Sequence, residues 1–197
     1  DVELPGFVKH RLARLHRKVL QLAQLADIAD PSSLHRLRIG VTSAVDSQWF
    51  QKVARAMDDE RVQPVVTSDT SPRLVRLLLR GRLDAAFIAL PTLAPGLEVD
   101  MLEKQPLIAA LPASHPLPRR TTTALADLAS DALFWFRRAR QPAFYDHCRA
   151  VFERHGYAPA RLEEPEDHHV LLAAVASGAG VALLPASFAA IRRDGVI

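Results

Sequence analysis

Short apolar segments alternate with amphipathic segments from Leu37 to Leu90, and this alternation limits the possible folds more than any other feature of the chain. The strand-like stretches are LRIGV, VQPVVT and LDAAFIAL, the last an apolar run typical of a strand buried on both faces. Between the second and third, SDTSPRLVRLLLRG predicts a helix with Ser71 as N-cap, Pro72 at the first helical position and Gly81 after its end. This order predicts an α/β fold with a parallel sheet.

The second half of the chain repeats this pattern after a crossing near residues 91–105. LEVDMLEKQ is expected to be a half-buried strand, and further strands are predicted at PLIAALP, LFWF and VALLP. The predicted helices are QPAFYDHCRAVFERHG and HHVLLAAVASG. The order therefore predicts two lobes, residues 34–91 and 92–186, with the first lobe completed by residues after 186.

The chain is expected to pass between the two lobes twice. The first passage is predicted at Ala89 and Leu90, and the second at Leu183 and Leu184 within VALLP. These four residues are the predicted hinge. The nearby Gly180 lacks a side chain, so the backbone can approach the sheet closely there.

Residues 1–33 are predicted to form a separate linker helix. Its apolar residues follow steps of three and four, which is a heptad seam: Leu12, Leu15, Val19, Leu22 and Ala26. A lone helix of this length is marginal in water, so the seam is expected to pair with a partner helix. Packing on the body of its own chain is the alternative, and the breaker ADPSS that follows favours pairing.

Composition excludes several classes of protein. No apolar run approaches the ~20 residues that cross a bilayer, and no signal-peptide pattern is visible. The single cysteine rules out an intramolecular disulfide and fits a reducing compartment, so a cytoplasmic location is expected. The formal charge is only +3 and much of the basicity lies in Lys9 to Lys18, which argues against a nucleic-acid surface over the whole body.

Four segments in order carry a resemblance to a known family: LRIGV, LLLRGRLDAAFI, PLIAALPASHPL and VASGAGVALLP. From Leu37 to Ile197 the chain resembles the effector-binding domain of LysR-type transcriptional regulators. The segment FWFRRARQPAFYD is most similar to the branch that senses aromatic or dicarboxylate catabolites, which commonly has a proline where Arg137 stands.

The resemblance implies a fold like that of type 2 periplasmic binding proteins. Two lobes would be joined by two crossing strands, with a small-molecule effector in the cleft between them. It also implies that Arg11 to Asp27 is a linker helix that pairs protomers into a dimer or tetramer. Promoter DNA would be bound through a domain absent from this chain, and the family normally continues beyond the position of Ile197. No membrane partner, cofactor or metal is expected.

Hydroxyl-rich turns follow two neighbouring strands of the first lobe. Ligands of parallel sheets bind at the carboxyl ends of strands, where helix N-termini attract anions. We therefore expect effector contacts from Thr42 and Ser43 after the first strand and from Ser68 and Thr70 after the second. Helix capping is the alternative role for each of them, and Asp69 would repel an anionic effector if it faced the ligand.

Three residues of the second lobe are further candidates. Arg138 can clamp a carboxylate with two parallel hydrogen bonds, Phe144 can wall the effector site, and His168 can face it. The corresponding alternatives are an exposed basic loop, a core position and a solvated helix cap.

Two other classes of function fit the sequence less well than a regulator. An enzyme is disfavoured because Cys148 and His147 are sequential neighbours on a helix that point apart, and His168–His169 lacks the spacing that places two metal ligands on one helix face. A solute-binding protein of a transport system shares the two-lobed scheme, and fold alone does not distinguish it from a regulator. The heptad helix favours the regulator.

Overall fold

The computed structural model of the protein describes residues 35–43, 62–102, 104–117, 122–191 and 193–197. It divides into two compact units, the first of residues up to Ala89 with Leu93–Glu103, the second of Leu90–Thr92 with Lys104–Ile197. The predicted helix of residues 1–33 lies outside the described residues. The predicted boundaries 34–91 and 92–186 stay predictions, and the described residues after 186 belong to the second unit.

The first unit contains a three-stranded parallel sheet. Strand β1 (His35–Val41) lies between β2 (Val62–Ser68) and β3 (Ala85–Phe87), and helix α1 (Ser71–Leu79) joins β2 to β3. The α/β architecture predicted from the alternation is therefore confirmed. The buried apolar residues of this unit lie on both faces of the sheet. Leu74 of α1 and Leu83 lie on the side of β1 to which Gly40 points, whereas Leu37 and Ile39 point to the opposite side, since successive strand residues alternate.

Helix α1 begins one residue earlier than the sequence predicts. The N-cap is Thr70, whose side chain makes no capping hydrogen bond, and Ser71 is the first helical residue, so the prediction of Ser71 as N-cap is wrong. Ser71 is fully buried and its hydroxyl serves another contact. At the other end Gly81 adopts a φ of +64°, as predicted for the residue that follows a helix.

Two predicted strands are shorter or missing. The run LDAAFIAL contributes only Ala85–Phe87 to the sheet, and these residues pair with Ile39–Val41 at the end of β1. No strand occurs in the described part of LEVDMLEKQ, where Val99 and Met101 are exposed and pair with no neighbouring strand.

The second unit contains a four-stranded mixed sheet. Its strands are β4 (Leu107–Ala110), β5 (Leu133–Trp135), β6 (Arg161–Glu163) and β7 (Val181–Pro185), in the order β4-β7-β5-β6. Strand β5 runs parallel to β6 and β7, whereas β4 runs antiparallel to β7. Helices α2 (Pro142–Arg154) and α3 (His168–Ala176) connect β5 to β6 and β6 to β7.

The two faces of the second sheet carry separate apolar clusters, because successive strand residues point to opposite faces. One cluster includes residues of α3 and the other includes residues of α2. The first contains Ala110, Phe134, Leu171, Leu172, Val175, Ala182, Leu184 and Phe188. The second contains Leu111, Leu128, Leu133, Trp135, Cys148, Phe152, Tyr157 and Val181. Among the described residues, no helix is long and apolar enough to cross a membrane.

Candidate functional site

The carboxyl ends of β5, β6 and β7 lie along one edge of the second sheet, because these strands are parallel. Each strand leads into a segment that carries polar or aromatic side chains. A one-turn 3-10 helix (Arg138–Arg140) and α2 follow β5, residues 164–167 and α3 follow β6, and a second 3-10 helix (Ala186–Ala190) follows β7. We call this set of segments the carboxyl edge of the second unit. Ligands of α/β sheets bind in such places.

Two of the three arginines after β5 are neutralised by carboxylates of the same unit. Arg138 donates from Nε to Asp146 Oδ1 at 2.9 Å and from Nη2 to Asp146 Oδ2 at 2.6 Å. These bonds hold the pKa of Asp146 below its usual range. Arg137 donates to Glu163 at 2.7 Å. The predicted carboxylate clamp of Arg138 is thus occupied by a carboxylate of the protein itself.

The third arginine, Arg140, is half-buried, and its backbone N–H donates to Arg137 O at 2.9 Å. Among the described residues its guanidinium makes no hydrogen bond or ion pair, unlike those of Arg137 and Arg138. Its charge acts on Glu164 and on His168. Burial raises the pKa of the Glu164 carboxyl to about 7, although Arg140 opposes the shift. Burial also lowers the pKa of His168 below its usual range, and Arg140 adds to that effect. Sequence reasoning missed Glu164, since burial of one carboxylate in the run LEEPED leaves no signal in the pattern.

His168 lies where the sequence predicts, at the start of α3. Its ring packs on the ring of Phe188, with centroids 4.7 Å apart. The backbone N–H groups of the first turn already have an acceptor, because Asp167 Oδ1 accepts from His169 N at 2.6 Å and from Val170 N at 3.4 Å. At this helix the imidazole, rather than the helix N-terminus, is therefore the group that can meet a ligand.

Phe144 lies in the first turn of α2 and is half-buried. Its ring stacks on Phe136 with centroids 6.0 Å apart, and it packs against the cluster around Trp135. The packing shows that Phe144 is partly a core residue, and its role as a wall of the effector site stays a prediction. Just before α2, Gln141 Nε2 donates to Thr92 Oγ1 at 3.4 Å, a pair that sequence reasoning missed.

The hydroxyl residues of the first unit also gather at the carboxyl ends of their strands. Thr42 is buried, and its N–H donates to Phe87 O at 3.2 Å. Ser43 and Ser68 are exposed, at the ends of β1 and β2. Thr70 is half-buried at the N-cap of α1. These four candidates thus lie at the edge that the alternation predicts, and their contact with an effector stays a prediction.

Asp69 lies among these residues, and its carboxylate has partners of its own. Its Oδ1 accepts from Thr70 N at 2.7 Å, and its Oδ2 lies 3.6 Å from the Arg73 guanidinium. The carboxylate is therefore held at the start of α1 by a local turn and an ion pair one helical turn away.

The predicted hinge residues fall into two different settings. The chain passes from the first unit to the second between Ala89 and Leu90, beyond the end of β3, and the Ala89 N–H is held by Ser71 Oγ. Leu183 and Leu184 lie inside β7, paired with Ala109 and Ile108 of the second unit. Their hinge role stays a prediction.

Chemistry at a cysteine or a metal finds little support in the described residues. Cys148 lies in the core, where burial raises the pKa of its thiol to about 11, so the nucleophilic thiolate is strongly disfavoured near neutral pH. Within the same residues, no group of three or more His, Cys, Asp or Glu side chains is placed to hold a metal ion.

Comparisons with known proteins agree on one family. The model of the LysR substrate binding domain matches residues 32–197. The HTH-type transcriptional regulator CatR of Pseudomonas putida is 32% identical over 129 residues, which are 66% of this chain and 44% of CatR. The chain thus spans less than half the length of that relative.

Two solved structures share the fold. The BenM effector binding domain with its effector benzoate is 26% identical, with a TM-score of 0.69, and the match covers 84% of this chain and 76% of that chain. Full-length CbnR complexed with its target DNA is 25% identical, with a TM-score of 0.69, and the match covers 96% and 68%.

Proposed function

The chain belongs to the LysR substrate binding domain family, the effector-binding part of LysR-type regulators, and from this membership we propose that it senses a small carboxylate and controls promoter binding by a domain outside this chain. The regulator would act in the cytoplasm as a homo-oligomer paired through residues 11–27. An effector can shift the protein between conformations only by binding one of them more tightly. Ala89 and Leu90, where the chain passes between units, are the proposed hinge together with Leu183 and Leu184.

The gathering of anion-binding and aromatic groups at one sheet edge carries the proposal. Arg140, Phe144 and His168 belong to the carboxyl edge of the second unit, on the 3-10 helix after β5, on α2 and on α3. A cation, an imidazole and an aromatic ring suit an effector with a carboxylate and an apolar body. At the corresponding edge of the first unit, Ser43, Ser68 and Thr70 would offer further hydroxyl contacts.

The relatives favour a transcriptional regulator over an enzyme or a solute-binding protein of a transport system. CatR and BenM are both HTH-type transcriptional regulators. The solved BenM domain holds benzoate, so an aromatic carboxylate is a suitable first probe for this chain.

A thermal-shift measurement with matched ligand pairs tests the proposal. We would add benzoate or succinate to the 197-residue chain and compare each with its uncharged amide, benzamide or succinamide. A ligand present at about 100 times its Kd stabilises the folded state by about 2.7 kcal/mol, a readily measured rise in melting temperature. We expect at least one carboxylate, and neither amide, to produce it. Equal effects of acid and amide, or no effect of either acid, would overturn carboxylate sensing.

A further inference from the structure

Helix α1 carries a row of arginines on its exposed face. Arg73, Arg76 and Arg80 are exposed, the last of them at the C-cap. At 3.6 residues per turn, these three residues fall within about 60° of arc around the helix axis. The buried residues Leu74 and Val75 lie on the other side of the helix. We call Arg73, Arg76 and Arg80 the arginine stripe of α1.

The charge of the arginine stripe is not balanced by α1 itself. The segment SPRLVRLLLRGR contains four arginines and no acidic residue. Among the described residues, the only ion pair of the stripe joins Arg73 to Asp69 at 3.6 Å. In the same part of the chain neither Arg76 nor Arg80 has an ion pair, and neither does Arg82, which is exposed just after the helix. This end of α1 therefore presents three uncompensated positive charges.

This arrangement does not stabilise the helix. A cation near the carboxyl end of a helix is favourable, but Arg76 and Arg80 are four residues apart, and like charges at that spacing repel each other. Helix α2 shows the usual solution, because Glu153 follows Arg149 by four residues and lies 3.6 Å from it. The arginine stripe lacks such a carboxylate, so its charge is available to a partner.

We propose that the arginine stripe of α1 binds the phosphate backbone of duplex DNA without reading the base sequence. Along the helix axis, Arg73 and Arg80 are about 10 Å apart. One strand of duplex DNA has a phosphate about every 3.4 Å along the axis, and so about three phosphates over that distance. The guanidinium group binds phosphate through two parallel hydrogen bonds. The stripe therefore matches one DNA strand in sign, number and spacing of charges.

DNA fits the stripe better than an acidic protein because DNA would already be close. Under the proposed function, on which this step rests, a domain outside this chain holds promoter DNA. A second contact within the same assembly needs little affinity of its own, because the first contact sets a high effective concentration. Phosphate contacts add affinity and carry no sequence information. The stripe would thus strengthen the hold on DNA beside the promoter site without changing which promoter is chosen.

Fluorescence anisotropy of a labelled DNA duplex, titrated with the 197-residue chain at several salt concentrations, tests the stripe. Each neutralised phosphate contributes about 0.9 to the slope of log affinity against log salt. The double variant Arg76→Gln/Arg80→Gln should therefore lower the slope by about 1.8. Between 50 and 200 mM salt its affinity should fall about twelvefold less than that of the parent. A duplex of unrelated sequence should give the same values, because the contacts are to phosphates.

A matched double variant on α2 controls for net charge. Arg149→Gln/Arg154→Gln also removes two arginines, but from the second unit, and its slope should equal that of the parent. The basic segment Lys9 to Lys18 is present in the parent and in both variants, so its own contribution cancels in the comparison. Circular dichroism of each variant establishes that it is folded.

Three results would overturn the DNA contact: equal slopes for the parent and Arg76→Gln/Arg80→Gln, equal changes in the two double variants, or no DNA binding by the parent at about 20 mM salt, where phosphate contacts are strong. Binding of poly-glutamate in preference to DNA, lost in Arg76→Gln/Arg80→Gln, would also overturn it and would indicate an acidic protein instead. The thermal shift with carboxylates should be the same in the parent and in this variant. Failure of the DNA contact would therefore leave carboxylate sensing standing, and a parent that responds to no carboxylate would overturn the proposed function alone.

Discussion

The hydroxyl of Ser71 accepts a hydrogen bond from the backbone N–H of Ala89 at 3.0 Å, so the first residue of α1 holds the residue at which the chain first leaves the first unit. Ser71 is fully buried, and the chain enters the second unit immediately after Ala89. The bond thus fixes the point from which the chain leaves the first unit. A buried serine of this kind is a structural connection rather than an effector contact.

Replacement of Ser71 by alanine should destabilise the first unit by about 1–2 kcal/mol, because a buried N–H loses its acceptor. Thr70→Ala is the matched control, since the Thr70 side chain makes no capping hydrogen bond and its loss should cost well under 1 kcal/mol. Urea unfolding of both variants measures the difference. Equal destabilisation by the two substitutions would contradict the role given to Ser71.

Replacement of Gly180 by alanine should destabilise the second unit by about 1–3 kcal/mol, as forced overpacking does. A Cβ at this position would lie 2.6 Å from the carbonyl oxygen of Ala132, which already accepts the Val181 N–H at 2.8 Å. The backbone cannot retreat without weakening that bond. Ala179→Val alters the exposed neighbour and should be nearly neutral. Thermal unfolding checks both, and a neutral Gly180→Ala would show that the strands separate more easily than their contacts suggest.

The order of strands and helices was accessible from the sequence because hydrophobic periodicity reports which side chains are buried. The boundaries of the strands were not accessible in this way, because a strand extends only as far as it pairs with the neighbouring strand. Leu83 belongs to the apolar run and is buried, but it precedes the first residue of β3. The next residue, Asp84, accepts a hydrogen bond from the Arg38 side chain at 2.6 Å. The alternation in LEVDMLEKQ likewise predicts a strand that finds no partner among the described residues.

The residue types of the candidate site were also accessible, because polar turns that follow parallel strands must meet at one edge. The sequence does not show which of the three arginines lacks a bonded carboxylate. Arg138 bonds to Asp146, eight residues later on α2, whereas the guanidinium of Arg140 has no carboxylate bonded to it among the described residues. The burial of Glu164 depends on how β6 and α3 pack, so no local pattern could indicate it.

Substitution of Arg138 by alanine should weaken carboxylate binding by less than threefold, because its guanidinium is held by two bonds to Asp146 and an effector would have to displace that carboxylate. Titration of the same carboxylate into Asp146→Asn provides the complementary test. Release of Arg138 in that variant should leave the affinity unchanged within threefold. A marked gain in affinity there, with a marked loss in Arg138→Ala, would restore Arg138 as the effector clamp.

Glu164→Gln should raise the stability of the protein near neutral pH and leave it unchanged near pH 4.5. The folded state raises the pKa of this carboxyl from 4.5 to about 7, so it binds the proton more tightly than the unfolded state. The resulting stability is fully present below pH 4.5 and is lost as the pH rises through about 7. Glutamine mimics the protonated carboxyl at every pH, so the free energy of unfolding of the variant should exceed that of the parent by up to about 3 kcal/mol at pH 8.

Melting temperatures of Glu164→Gln and of the parent from about pH 4.5 to 8 measure this difference. Glu163→Gln, at an exposed carboxylate, is the control. Parallel curves for the parent and Glu164→Gln would show that Glu164 is solvated in the folded protein.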